Sequence, residues 1–245
     1  MSKTVSVMTY NVHSCIGMDG KAAPLRIAEV IDRCNPDLVA LQELDLGLAR
    51  TSLIDQAHVI ATALNMSYHF HSSIRLEEGG YGNAVLSRFP LRLIKAGPVP
   101  TTPCRECFER RGALWVEIEA EGGLFQMLAT HFGLNRAERL AQAEAIVGPE
   151  WLGHPDCRTP VLLCGDFNAL PGSGAYRRIT SRLRDGQRLA RRLPWPTWPV
   201  RLPFMCIDYV FVSSEVRVVS VAVPRNPLTR VASDHFPLLV TVELP

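Results

Sequence analysis

The sequence predicts an α/β protein with two β-sheets. Short runs rich in β-branched residues alternate along the chain with longer segments whose apolar residues recur at helical spacing. These runs are numerous enough for two sheets, and no linker long enough to divide domains interrupts the 245 residues. Because a chain of this length fits one domain, we predict a single domain over residues 1–245.

The strands are predicted from β-branched and apolar runs that are bounded by turn residues. In chain order they are Thr4–Tyr10, Asp37–Gln42, Asn83–Ser87, Leu114–Glu119, Phe125–His131, Val161–Cys164, Ile207–Ser213, Val216–Val223 and Phe236–Leu244. The first half also resembles the second, because one apolar strand ends at Asn11 and another ends at Asp166. Two similar halves packed face to face would bring these strand ends together.

Three segments have the periodicity of helices that pack against a sheet. They are Leu25–Cys34, Ile54–Leu64 and Ala137–Val147. Two proline-rich segments, Pro98–Pro103 and Pro194–Pro203, are predicted to be extended loops.

The composition is that of a globular protein with a substantial core. Hydrophobic residues make up 47% of the chain and charged residues 20%, which excludes a disordered or fibrous protein. Residues 1–11 lack the apolar core of a signal peptide, and no stretch reaches the roughly 18 apolar residues of a membrane span. We therefore predict a cytoplasmic protein without a transmembrane segment.

The seven cysteines are an odd number, and most lie in apolar runs, as Cys34, Cys164 and Cys206 do. This pattern favours reduced thiols over a disulfide framework. The lone pair Cys104 and Cys107 lacks further zinc ligands at suitable spacing, so a loop with two incidental cysteines is favoured over a metal or redox site.

The net charge of +2 gives no overall field that would call for nucleic acid. Arginines nevertheless recur between Arg177 and Arg192. A solvated helix and loop is the favoured interpretation of this stretch, and contact with phosphates is the alternative.

Two short strings gather acid, amide and imidazole groups beside apolar β-like runs. They are Gly165-Asp166-Phe167-Asn168 and Ser233-Asp234-His235. Phosphoester hydrolysis uses a hard divalent cation to neutralise phosphoryl oxygens and acidify water, and carboxylate and carboxamide oxygens suit such a cation. Imidazole can then move a proton or hold the phosphoryl oxygens. These strings are typical of a metal-assisted phosphoester hydrolase.

The strand ends, read in order, form a longer series of motifs. They are Thr9-Tyr10-Asn11-Val12-His13, Leu41-Gln42-Glu43, Tyr81 to Arg88, Thr130-His131, Gly165 to Asn168, Ile207-Asp208-Tyr209 and Ser233-Asp234-His235. The series resembles the endonuclease/exonuclease/phosphatase superfamily over about residues 5–244. The resemblance implies a four-layer α/β sandwich, in which two packed, mostly antiparallel sheets are flanked by helices, with one active site at the strand ends.

The resemblance also implies a role for each motif residue. Glu43 is similar to the principal metal carboxylate, with Asn11 and Asp234 close by. Asp166 and Asn168 match the pair that positions the nucleophilic water and the phosphate, and a second metal ion at this pair is an open alternative. His235 matches the imidazole that faces the phosphate, and Asp208 matches its carboxylate partner. His131 lies at the position of a second histidine. An acid between Ile207 and Tyr209 would itself need a partner if buried.

Other positions bear on the substrate. Asn83 and Arg50 are predicted substrate contacts, and Trp195 and Trp198 either form an apolar lip or pack in the core. His13 stands where several repair nucleases carry an acid. Long insertions of the kind that open a duplex are absent, which disfavours duplex DNA.

The predicted function is hydrolysis of a phosphoester with Mg²⁺ or Mn²⁺. A phosphodiesterase that acts on a lipid head group or small phosphoester suits the near-neutral charge and the tryptophan-bearing loop. The alternative, an endo- or exonuclease on DNA or RNA, suits the arginine-rich stretch and His131. A non-catalytic binding module is a remote alternative, since Glu43, Asp166, Asp208 and His235 are all present. No obligate protein partner is indicated.

Overall fold

The computed structural model describes residues 4–76, 79–101, 109–121, 123–191 and 193–245. The strands in these ranges are β1 Thr4–Asn11, β2 Leu38–Leu46, β3 Ser67–Leu76, β4 Gly79–Ser87, β5 Leu91–Pro98, β6 Gly112–Ala120, β7 Gly123–His131, β8 Val161–Asp166, β9 Arg184–Asp185, β10 Asp208–Val212, β11 Arg217–Ala222 and β12 Leu238–Glu243. The helices are α1 Pro24–Cys34, α2 Gln56–Leu64, α3 Arg136–Val147, α4 Gly174–Thr180, α5 Gly186–Ala190 and α6 Pro227–Ala232.

The strands form two six-stranded sheets within the described ranges. The first has the order β11-β12-β1-β2-β4-β3, and the second has the order β5-β6-β7-β8-β10-β9. The pairs β1–β2 and β7–β8 are parallel, and the other pairs are antiparallel. In each sheet the parallel pair lies at the centre. The two sheets therefore repeat one arrangement, as the similar strand ends of the two halves predicted.

Three apolar layers hold the sandwich together. The central layer lies between the sheets and joins residues such as Val7 and Val85 of the first sheet to Val116 and Met127 of the second. A second layer packs α1 and α2 on the outer face of the first sheet, and a third packs α3 and α4 on the outer face of the second sheet. The predicted four-layer α/β sandwich is therefore confirmed.

The predicted strands and helices are present, with shifts of a few residues at their ends. The sequence does not predict β3 and β5, because both lie at sheet edges and are largely part-exposed, which blurs the alternation of apolar and polar residues. The short elements β9, α4, α5 and α6 are too brief to show a periodicity. The loop predicted from Pro98 begins at the last residue of β5.

The described cysteines Cys15, Cys34, Cys157, Cys164 and Cys206 are free thiols. Cys104, Cys107 and Arg192 lie outside the described residues. In the part of the chain that the structure describes, every helix is either too short or too polar to cross a membrane.

Gly165 allows a close approach between the two parallel strands of the second sheet. Its φ is +153°, a conformation that side-chain-bearing residues rarely adopt, and a Cβ atom there would lie 1.9 Å from the carbonyl oxygen of Thr130 on β7. Because Asp166 follows directly, this glycine sets how near that carboxylate lies to the end of β7.

We predict that Gly165→Ala lowers the free energy of unfolding by about 3 kcal/mol or more, because the added methyl group must separate β7 from β8. Urea denaturation followed by circular dichroism measures the loss. Gly97→Ala on β5 is the matched control: nothing lies within 4 Å of a Cβ at this position, so the change is expected to stay within about 0.5 kcal/mol. Equal losses in the two variants would contradict the steric argument.

Candidate active site

The ends of the central strands open into one cleft of about 1370 Å³. Its lining includes six of the predicted site residues, namely Glu43, His131, Asp166, Asn168, Asp234 and His235. Asn11 and Asp208 are buried beside them and contact them through hydrogen bonds. The structure thus brings the eight predicted catalytic and metal-binding residues to one place.

The side-chain amide of Asn11 connects the two sheets at the floor of the cleft. Its Nδ2 lies 2.8 Å from Oε1 of Glu43 in the first sheet and 3.0 Å from Oδ2 of Asp166 in the second. Both contacts are hydrogen bonds from the amide to a carboxylate. A neutral donor therefore bridges two carboxylates that would otherwise face each other without compensation.

The second sheet aligns three site residues by its strand register. His131 on β7 is paired with Asp166 on β8, which is paired in turn with Asp208 on β10. Asp166 is fully buried beside a second carboxylate. Burial and the charge of Asp208 raise its pKa to about 7, against the opposing effect of His235.

His235 balances these carboxylates. Its Nδ1 lies 3.0 Å from Oδ2 of Asp208, and its Nε2 lies 3.8 Å from Oδ2 of Asp166. Burial alone would lower the pKa of His235, but the charge and hydrogen bond of Asp208 raise it to about 10. The pairing of Asp208 with His235 that the sequence predicted is present, and it is reinforced by Thr197, whose hydroxyl lies 2.5 Å from the same carboxylate oxygen.

Glu43 lies at a β-bulge inside β2 rather than at the end of the strand. The register between β2 and β4 shifts between Leu41 and Leu44, and Glu43 itself has a φ of +61°. Burial opposes ionisation of this carboxylate, but the His13 imidazole beside it and the hydrogen bond from Asn11 hold its pKa well below the usual range. The bulge therefore directs an ionised carboxylate into the cleft.

The other cleft residues are fixed by local hydrogen bonds. Asn168 has a φ of +47°, its backbone N–H donates to Oδ1 of Asp166 at 2.9 Å, and its Nδ2 donates to the carbonyl of Phe132 at 3.0 Å. Asp234 accepts a hydrogen bond from Nε1 of Trp198 at 3.2 Å, and Nδ1 of His13 lies 3.9 Å from its Oδ1. Trp198 thus lines the cleft.

The sequence of the chain matches the model of the Endonuclease/Exonuclease/phosphatase family over residues 8–235. The chain belongs to this family. Its members are divalent-metal-dependent hydrolases, so the protein is a metal-dependent hydrolase of phosphoesters.

Individual relatives span several activities. The chain is 26% identical to the "Uncharacterized protein YbhP" of Escherichia coli (strain K12), over 97% of this chain and 96% of that protein. It is also 26% identical to exodeoxyribonuclease III of Haemophilus influenzae, over 62% of this chain and 54% of that protein. The structure of a Bacteroides thetaiotaomicron mannosyl-6-phosphatase has the same fold, with a TM-score of 0.76, 20% identity and coverage of 97% of this chain and 99% of that one.

The donor atoms of the cleft fit a hard divalent cation. Glu43, Asp166, Asp208 and Asp234 contribute carboxylates, and Oδ1 of Asp208 is buried without a hydrogen-bond partner among the described residues. Asp166, Asp208 and His235 form one compact group of ligand atoms. Asp208 and His235 are already hydrogen-bonded to each other, whereas Glu43 has a lowered pKa and lines the cleft, so its carboxylate could also hold such a cation.

The structure places the two predicted substrate contacts outside the cleft lining. The guanidinium of Arg50 donates to both oxygens of Asp45, at 2.8 and 2.7 Å. Asn83 is buried and donates to the carbonyl of Gly112 at 3.2 Å. Both side chains are already hydrogen-bonded to groups of the protein itself, so these contacts give no support to a role in substrate binding.

Arg111 is a cleft residue that the sequence analysis missed. It is only 4% exposed, and its Nη1 lies 2.8 Å from Nδ1 of His131. A guanidinium only donates, so Nδ1 accepts and the ring hydrogen lies on Nε2. The 3.2 Å contact between Nε2 and Nδ2 of Asn168 then joins two donors and is not a hydrogen bond. Nothing in the sequence around Arg111 distinguishes it from the adjacent Arg110.

Burial and the charge of Arg111 together lower the pKa of His131 well below its ordinary value. His131 is therefore neutral near pH 7, whereas His235 is charged. The two histidines of the cleft differ in protonation because one faces an arginine and the other a carboxylate.

We predict that Arg111→Met raises the pKa of His131 by roughly one unit or more, because the variant removes a neighbouring positive charge. Imidazole ¹⁵N chemical shifts across a pH titration report both the pKa and the Nε2–H tautomer. Arg111→Lys should keep the pKa low, and Arg110→Met, at an exposed neighbouring arginine, should leave it unchanged. Identical titrations in Arg111→Met and the unmodified protein would refute this assignment.

Proposed function

We propose that the protein is a phosphodiesterase whose cleft binds one Mg²⁺ or Mn²⁺ ion and hydrolyses a small phosphoester or a lipid head group. The observation that carries the proposal is the bridge from Asn11 to Glu43 and Asp166, with Nε2 of His131 within 3.9 Å of both carboxylates. Metal-binding and proton-transfer groups thus lie within reach of a single phosphate.

In the proposed site Glu43 would hold the ion, and Asn11 and Asp234 would complete or orient its ligands. A bound divalent ion would neutralise the phosphoryl oxygens and acidify a water molecule. The low pKa of Glu43 supports this role, because a metal ligand must be ionised at neutral pH. His13, whose Nδ1 lies 3.6 Å from Oε2 of Glu43, supplies a donor to the same carboxylate.

Asp166 and Asn168 align the attacking water in this proposal. The raised pKa of Asp166 suits a group that accepts a proton near neutral pH. Its Oδ1 is fixed by the backbone of Asn168, and its Oδ2 is fixed by Asn11. The carboxylate is therefore held in one orientation.

The two histidines take different roles in the proposed reaction. His235, kept charged by Asp208, stabilises the negative charge that develops on the phosphoryl oxygens. His131, neutral with its hydrogen on Nε2, donates a hydrogen bond to the phosphate or the leaving oxygen, and the charged His235 is the group that has a proton to give to that oxygen. Arg111 acts through His131 as a positioning residue.

The rim of the cleft supports a substrate with apolar parts. Leu134 is 75% exposed and Leu170 is 48% exposed, and both line the cleft, as does Trp198. Phe204, which is 67% exposed, lies against Trp198 with ring centroids 6.4 Å apart. Such a rim suits the acyl chains of a phospholipid whose head group enters the cleft. The free thiols agree with the cytoplasmic location that the sequence predicts.

The second candidate function is a nuclease, which the similarity to exodeoxyribonuclease III and the arginines lining the cleft favour. Titration with salt separates the two. A phosphodiesterase for small substrates is expected to lose little activity between 50 and 200 mM KCl, whereas a nuclease that contacts about six phosphates should lose about a thousandfold in affinity. Turnover of bis-p-nitrophenyl phosphate, phospholipid vesicles, single-stranded DNA and RNA at each salt concentration provides the measurement.

We predict that Glu43→Gln lowers Mn²⁺-dependent hydrolysis of bis-p-nitrophenyl phosphate by about a hundredfold or more, which corresponds to roughly 2.7 kcal/mol. The amide keeps the size of the side chain but loses the charge that holds the ion. Initial rates and calorimetric titration with Mn²⁺ measure turnover and metal affinity in parallel.

Glu29→Gln is the control for this variant. Glu29 is exposed on α1 and pairs with Arg33, so turnover and metal affinity should both stay unchanged. If Glu43→Gln binds Mn²⁺ and turns over substrate as the unmodified protein does, Glu43 is not the metal ligand.

A further inference from the structure

One wall of the cleft carries three arginines beyond the residues used in the proposed reaction. Arg136 and Arg139 belong to the first turn and a half of α3, and Arg177 belongs to α4. All three line the same cleft as Asp166 and His235. The cleft therefore has an acidic floor and a basic wall.

None of the three has a carboxylate within ion-pair distance among the described residues. The guanidinium of Arg139 donates to the carbonyls of Gly133 and Leu134, and that of Arg177 donates to the carbonyl of Gly172. The guanidinium of Arg136 makes no such contact in the described chain, and its side chain is exposed. The positive charge of this wall is left for a ligand or for solvent.

The neighbouring acids offset the charge of the wall only in part. Glu109 is paired with Arg111 at 2.6 Å. Glu138 is buried, and burial raises its pKa, which opposes ionisation. Burial and the charge of Arg136 lower the pKa of Arg139. The charges of Glu138 and Asp166 raise it.

The position of Arg136 and Arg139 is unfavourable for α3 itself, whereas Arg177 lies in the last turn of α4, where a cation is favoured. The first turn of a helix carries a partial positive charge, so Arg136 and Arg139 lie where acids are preferred. Asn135 already satisfies the N–H groups of Ala137 and Glu138 at this end. An anion bound in the cleft would offset the repulsion between these arginines and the partial positive charge at the start of α3. Solvent alone would not provide such a charge.

We propose that Arg136, Arg139 and Arg177 bind a second phosphate group of the substrate, at some distance from the phosphoester that is cleaved. This inference rests on the proposed function and narrows it to substrates with more than one phosphate. The second phosphate belongs either to a short oligonucleotide or to a phosphorylated head group, and the two sources share the same chemistry. Bidentate hydrogen bonds from arginine are the expected contacts.

The test compares substrates that differ only by one phosphate. The pairs are thymidylyl-thymidine without and with a 5′- or 3′-phosphate, and glycerophosphoinositol without and with a 4-phosphate. With Mn²⁺, the ratio of kcat/KM for the phosphorylated to the unphosphorylated member should be about ten or more in one of the pairs. The pair that shows the preference identifies the source of the phosphate.

Arg136→Gln and Arg177→Gln should each reduce this ratio about fivefold to tenfold, because each removes a charge-assisted hydrogen bond to the added phosphate. The matched control is Arg178→Gln, next to Arg177 on the same helix, because Arg178 is exposed and does not line the cleft. Its ratio should equal that of the unmodified protein.

Two negative outcomes are distinguishable. In the first, the protein hydrolyses bis-p-nitrophenyl phosphate, but the kcat/KM ratio is near one in every pair or is unchanged in both arginine variants. This result would overturn the second phosphate site and leave the proposed function intact. Failure of the unmodified protein to hydrolyse any of these compounds with Mg²⁺ or Mn²⁺ would overturn the proposed function and the inference that rests on it.

Discussion

The whole site depends on keeping several carboxylates close together in a buried cleft. Carboxylates that share a low-dielectric environment raise each other's pKa and tend to become protonated. The Asn11 amide, between Glu43 and Asp166, and the His235 imidazolium, between Asp166 and Asp208, supply the compensating hydrogen bonds and charge. These groups allow acidic side chains to remain available to a cation and to a water molecule.

Irregular backbone conformations help to bring these side chains together, since regular strands would not direct them into the cleft at the required positions. A bulge with positive φ turns Glu43 into the cleft, and Asn168 also has positive φ. Such conformations cost roughly 1–3 kcal/mol each and persist only where the surrounding structure enforces them. The apolar layer between the two sheets provides that enforcement, because it fixes the sheets against each other.

The floor of the cleft is acidic, whereas its walls and rim are basic or apolar. A basic wall on α3 and α4 and an apolar rim near Trp198 face the same cleft. A shared fold does not choose among activities, so substrate preference must come from such surfaces. In this chain Arg136, Arg139 and Arg177 provide charge at the cleft, and the exposed Leu134 and Leu170 provide apolar surface, so the two features together suit the anionic and apolar parts of the proposed substrate.

The sequence by itself determined the central strands, the longer helices and the identity of the acids, amides and imidazoles at the strand ends. It also anticipated the partner of Asp208, because a buried acid in a strand requires one. It could not show that Arg111 rather than Arg110 contacts His131, that Arg50 binds Asp45, or that β3 and β5 complete the sheets. Strand patterns are local and can be read along the chain, whereas these contacts join residues whose distance is set only when the two sheets and their helices pack together.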